Sequence, residues 1–351
     1  MKKQSHTKEW IACLGLLVLA CARRPASVGE AKPAAAAQAT VSARASAAAV
    51  PPKAVDVTGG DGEPHIRPGS GPKELMTDST SAYTAGLVVE ADAIYVLTER
   101  VVYRVVPGKS PQQIPIDNGY AAAVTQNDLV YWSKGAIWRV PKTGGKPARV
   151  ASLKHPPQSF MAAADDLAWL DMPVLDQFVI QSLDGRTVRT LFYYTGRIET
   201  ATLDAGRVFF VKKEKNASWR IGSVSLHGDD IRFTEPKTGP TPAKLAAAGE
   251  VFYYDLRSGE LRKLSSDLAR EEVLSKDVVC SPVAVAARIY CPRVGGIFEL
   301  ARRAGATPTS VFPEPRPITN VAASSTFLAW LADAGPDRLS LMMIPLVASG
   351  E

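Results

Sequence analysis

DLVYWSKGAIWRVPKTGGKPARVAS, residues 128–152, decides the fold. Its apolar residues stand side by side (Val130, Tyr131 and Trp132; then Ile137 and Trp138) instead of alternating, so each short strand needs cover on both faces. Gly135, the adjacent Gly144 and Gly145, and Pro147 punctuate the run at hairpin distances and mark tight antiparallel reversals. The stretch therefore predicts three strands, at 129–133, 136–141 and 148–153, behind an inner strand at 120–125.

The second of these strands recurs through the chain. It returns as ADAIYVL around Tyr95, DDLAWLD around Trp169, AGRVFFV around Phe209, GEVFYYD around Phe252, ARIYCPR around Tyr290 and TFLAWLA around Trp330, a period of about forty residues. The third strand recurs at Val102, Ile297 and Leu339. Seven copies of a four-stranded antiparallel unit predict an all-β, seven-bladed β-propeller over residues 73–351. The last copy ends near Leu346, after its third strand, and residues 73–77 stand ready to supply the fourth. Pairing the two ends of the domain in this way would close the ring and remove its exposed edges.

The repeat VYWSKGAIWRVPKTGGKPARVAS resembles the units of TolB-like and YWTD-like propellers, and of secreted bacterial propeller lipoproteins, over residues 75–346. The resemblance implies the fold. It does not imply an activity, because propellers host lyases, dehydrogenases and pure binding modules alike.

The N-terminus predicts an address. Lys2, Lys3 and Lys8 precede the apolar run WIACLGLLVLA at 10–20, which suits the core of a signal peptide (residues 1–20) and falls short of the roughly 20 residues that span a bilayer. Val18, Leu19, Ala20 and Cys21 resemble the lipobox of bacterial lipoproteins, although Val18 and Leu19 depart from the commonest choices there. By that resemblance Cys21 is acylated, becomes the mature N-terminus and anchors the protein in the membrane, each buried methylene contributing about 0.8 kcal/mol. Ala22 lacks the Asp that keeps many lipoproteins in the inner membrane, so the outer membrane is the expected destination. Residues 21–72 are rich in Ala and Pro and poor in large apolar side chains, which predicts a disordered tether reaching on the order of 40 Å.

Lys and Arg number 41 against 35 Asp and Glu, too even a balance for a dedicated nucleic-acid binder. Of the four cysteines, Cys13 and Cys21 belong to the N-terminal segment. Cys280 and Cys291 form an isolated late pair, a disulfide candidate in an exported protein.

Catalytic motifs are scarce. His6 lies in the signal peptide, His65 in the tether, and His155 and His227 in connections on opposite faces of a propeller, where they cannot act together. The sequence contains no nucleophile elbow, zincin helix, calcium loop or P-loop, and neither a metal nor a cofactor is predicted. The inner strands are mostly small and apolar, with Glu90, Glu199 and Asp204 as the few nearby acids. A binding or scaffolding module for an envelope protein or polymer, built as a monomeric domain, is favoured over a propeller lyase or lactonase with its active site beside the channel.

Connections from second to third strand, and from outer strand to the next inner strand, share one face of a propeller, where function is commonly added. Most are tight here; 171–176 and 212–219 are longer and polar. Asp171, Asp176, Lys212, Lys213, Lys215 and His155 are the expected rim of a partner site, with Trp219 as its aromatic anchor.

Overall fold

Lys134 and Gly135 form the two-residue turn inside the diagnostic stretch, both with positive φ (49° and 75°), the backbone that a right-twisted hairpin requires. That turn joins the strands Asp128–Ser133 and Ala136–Pro141. Ala148–Ser152 pairs outside them and Tyr120–Val124 inside, giving a four-stranded antiparallel sheet in chain order. The structure, a computed structural model, describes residues 65–66, 71–78, 86–98, 101–116, 120–174, 177–184, 187–276, 278–285, 288–293, 295–335 and 338–347.

Six further sheets repeat the plan. The seven inner strands are Gly86–Val89, Tyr120–Val124, Ser159–Ala163, Arg197–Asp204, Leu245–Ala247, Val283–Val285 and Ile318–Ala323. Each lies against its neighbour in the next sheet, and the seventh lies against the first. The chain is a seven-bladed β-propeller.

The ring closes as the sequence predicts. Lys73–Asp78 pairs antiparallel with the third strand of blade seven, Leu339–Val347, from Lys73 opposite Met343 to Asp78 opposite Leu339. One boundary differs from expectation: His65 and Ile66 also pair with that strand, opposite Val347 and Leu346. The long third strand extends beyond its closing partner, so its free backbone groups take up part of the segment assigned to the tether. Residues 1–64, with the signal peptide, Cys21 and most of the tether, lie outside the described residues.

Packing explains the paired apolar residues. One hydrophobic cluster fills each blade-to-blade interface, and adjacent residues of a second strand serve opposite interfaces. Tyr131 packs with Tyr95, Val102 and Val124 between blades one and two, whereas Val130 packs with Ile137, Leu167 and Trp169 between blades two and three. In blade six, Cys280 and Cys291 are disulfide-bonded with their Cα atoms 5.0 Å apart, tying the start of the inner strand to the second strand within the cluster shared with blade five.

Candidate functional site

The outer strand of blade two ends at a connection, 153–158, that lies beside the second-to-third turn of its own blade: Leu153 N donates to Gly135 O at 3.0 Å. The same connection then reaches blade three, where Gln158 N donates to Leu170 O at 2.8 Å and Gln158 Nε2 to the Met172 sulfur at 3.5 Å. His155 on this connection is exposed, and Asp171 near the end of the blade-three second strand is 7% exposed. The fold brings these two residues into electrostatic range. Burial pushes the Asp171 carboxyl up, against the opposing pull of the Met172 N–H and of His155. Its Oδ1 has no hydrogen-bond partner among the described residues. Asp176 lies outside the described residues.

Blade four supplies the other half of the face. Lys212 and Lys213 end its second strand, Arg207–Lys213, and the next strand, Ser218–Ser225, begins after a turn over Lys215–Ala217. Asn216 and Ala217 both adopt positive φ there (70° and 57°), a conformation that Asn tolerates far better than Ala. Lys213 is exposed, and its carbonyl accepts a hydrogen bond from Tyr194 Oη at 2.8 Å. Lys212 is half-buried: its ammonium pairs with Glu214 at 3.1 Å and stands over the rings of Phe233 and Tyr194, 4.4 and 4.8 Å from their centroids. Burial would raise the Glu214 carboxyl, but Lys212 and Arg220 together hold it below its ordinary value.

Trp219 is not the anchor of this face. It is 1% exposed and packs edge-on against Tyr253, with ring centroids 5.9 Å apart, in the cluster between blades four and five. The reason is a strand boundary: Trp219 is the second residue of the third strand, opposite Lys213 in the ladder, so its side chain belongs to an interface and not to a loop.

The exposed aromatic side chains of this region are others. Tyr193, on the outer strand of blade three (Thr187–Thr195), is 53% exposed, and Phe233, on the outer strand of blade four, is 36% exposed. Phe192 and Phe210 pack behind Phe233 at tilted and edge-on angles, with the Phe192 ring centroid 4.8 Å from that of Phe210 and both 6.0 Å from that of Phe233. Phe192 and Tyr194 face the blade-four side of their strand, whereas Tyr193 between them points to its other face, so the aromatic run at 192–194 signals the cluster behind Phe233 through its outer two members.

The acids beside the channel are already engaged. Glu90 pairs with Lys142, Glu199 with Arg197 at 3.1 Å, and Asp204 Oδ2 accepts from Gly249 N at 2.7 Å. Among the described residues, no three His, Cys, Asp or Glu side chains gather to hold a metal ion.

No family model matches the chain, and no curated protein matches it. Solved structures do. The RRP9 WD40 repeats superpose with a TM-score of 0.59 at 10% identity, over 81% of this chain and 100% of that one. An oligogalacturonate lyase in complex with manganese gives 0.58 at 10% identity, over 81% and 96%. A catalytically inactive virginiamycin B lyase from Staphylococcus aureus, with quinupristin, gives 0.55 at 12% identity, over 78% and 98%. What is shared is the propeller. Identities this low, spread across enzymes and WD40 repeats, carry the fold and no activity.

Proposed function

We propose that this chain is an exported, lipid-anchored propeller that works as a binding module, holding an envelope protein or polymer on the rim of blades three and four. The observation that carries this reading is the exposed Phe233, backed by Phe192 and Phe210 and with the Lys212 ammonium 4.4 Å from its ring centroid. Aromatic side chains braced from behind lose little entropy on binding, and such residues carry much of an interface's energy. The engagement of Glu90, Glu199 and Asp204 in pairs and backbone contacts favours binding over chemistry beside the channel. The anchor rests on the apolar run at 10–20 and on Cys21.

Photo-crosslinking in intact cells tests it. A photoreactive residue at position 213 or 233 is expected to give a discrete adduct, and one at 227, in a turn on the opposite face, none. Cys21→Ala is expected to move the protein from the membrane fraction to the soluble one. Adducts from 227 alone would place the binding surface elsewhere, and unchanged fractionation of the Cys21→Ala protein would remove the lipid anchor from the reading.

A further inference from the structure

The outer strand of each blade leaves one row of backbone groups without a neighbouring strand, and six of the seven outer strands carry features that blunt such an edge. Gln112–Pro115, Ala148–Ser152 and Arg232–Phe233 are short. Glu271–Lys276 and Lys73–Asp78 carry three charges each, and Thr309–Glu314 carries Pro313 and Glu314. Thr187–Thr195 in blade three uses none of these devices. It is nine residues long, seven of them β-branched or aromatic, with Arg189 as its one charged residue.

A bulge at Leu191 divides this strand, and there the blade-four turn closes in. A Cβ on Gly228 would lie 3.7 Å from the Leu191 Cα and 3.8 Å from the Thr190 carbonyl oxygen. Past the bulge, Phe192–Thr195 keeps regular register with blade three's own third strand, from Phe192 opposite Ile180 to Thr195 opposite Gln177. Among the described residues no backbone hydrogen bond joins this stretch to another blade. It is aromatic on both faces. Phe192 and Tyr194 turn toward blade four, where the Phe233 ring centroid is 6.0 Å from that of Phe192 and the Lys212 ammonium 4.8 Å from that of Tyr194. Tyr193 turns to the other face and is 53% exposed. A strand laid along this edge would set its side chains alternately beside Tyr193 and beside Phe192 and Tyr194.

We propose that Phe192–Thr195 is a strand-addition site, at which an extended, uncharged segment of a partner protein becomes the fifth strand of blade three. Main-chain pairing supplies the affinity, and the aromatic faces select apolar side chains on both sides of the incoming strand. This deepens the binding role proposed for blades three and four and rests on it. It narrows the partner to a polypeptide, because another backbone is what answers a row of amide and carbonyl groups. A second copy of this chain fits poorly: at about 3.4 Å per residue the stretch is a strip about 14 Å long. Two rigid rims meeting along it would bury far less than the roughly 800 Å² per partner of a stable interface. A flexible segment covers both aromatic faces as well as the edge.

Amide hydrogen exchange of the full chain tests this, with a peptide of alternating valine and threonine between terminal lysines as probe. In the free protein, alternate amides of Phe192–Thr195 are expected to exchange like solvated backbone. With the peptide at about ten times its dissociation constant they are expected to slow about tenfold, while the edge amides of Gln112–Pro115 stay unchanged. The same peptide N-methylated at every residue keeps its side chains but loses its backbone donors, and is expected to give no protection. Protection already present in the free protein overturns the proposal: if independent of protein concentration, the chain's own N-terminal residues cover the edge, and if it grows with concentration, a second copy does. Equal protection by both peptides, or by neither, also overturns it. A crosslinked adduct from position 233 beside an edge that the peptide leaves unprotected would keep the binding role and remove strand addition alone.

Discussion

Asp171 shows what a buried carboxyl costs when the groups around it answer it only in part. The side chain is nearly inaccessible, and one oxygen has no partner among the described residues. Burial raises its folded-state pKa above the unfolded value of about 3.9, so the folded protein holds a proton that the unfolded chain releases first. The sign follows: stability is unaffected below that unfolded value and is lost as pH rises through it toward the raised one. Asn cannot release a proton there. Asp171→Asn is therefore expected to match wild type in thermal unfolding near pH 3 and to exceed it progressively toward neutrality. A constant difference across that range would show that the carboxylate is solvated. At the same scale, residue chemistry alone misplaced the aromatic anchor. Trp219 and Tyr193 are both large aromatics beside lysine-rich or tyrosine-rich runs, and only strand phase decides that one is core and the other exposed. A boundary shift of two residues, with the strand opening at Ser218, reverses the expected role of Trp219.

At the level of single strands and hairpins, the apolar pairs of the second strands were legible as double-sided cover, but not which member faces which neighbour. Tyr131, Trp169 and Trp330 serve the interface with the preceding blade, whereas Tyr95, Phe252 and Tyr290 serve the one that follows. Both faces are buried, so an aromatic ring fits at either of two adjacent positions and the sequence motif slides by one residue. The fully buried side chains that blade six gives to the cluster it shares with blade five are aliphatic or sulfur-bearing, and Cys291 occupies the position held by Trp169 and Trp330 in their blades. Its inner strand is also short, only Val283–Val285. A crosslink across a separation of 11 residues reduces the freedom of the unfolded chain and is expected to contribute roughly 2 to 3 kcal/mol there. Reduction, or a Cys280→Ser, Cys291→Ser double substitution, should lower the denaturant midpoint accordingly. Complete alkylation of both cysteines in the untreated, unreduced protein would rule the bond out.

On the scale of the ring, stability depends on how the chain's two ends are joined. Besides the hydrophobic cluster between blades seven and one, strand pairing joins the ends: the last blade takes its fourth strand from the start of the domain. That strand also brings Leu75 and Met76 against the cluster shared by blades seven and one, and Glu74 lies 3.5 Å from Arg316. Closure was legible in the sequence because the seventh copy stopped one strand short, whereas the added pairing of His65 and Ile66 was not, since two residues carry no periodic signal. Removing residues 22–64 leaves every described pairing in place, and its unfolding midpoint is expected to match that of the full chain. Removing 22–78 strips Leu339–Val347 of its partners, exposes a nine-residue apolar edge, and uncovers the blade-seven to blade-one cluster. That protein is expected to unfold at lower temperature and to elute as oligomers in size-exclusion chromatography, because an open strand edge recruits another chain. A monomer with an unchanged midpoint would mean that the seven blades hold their ring by side-chain packing between neighbours, without the strand that joins the ends.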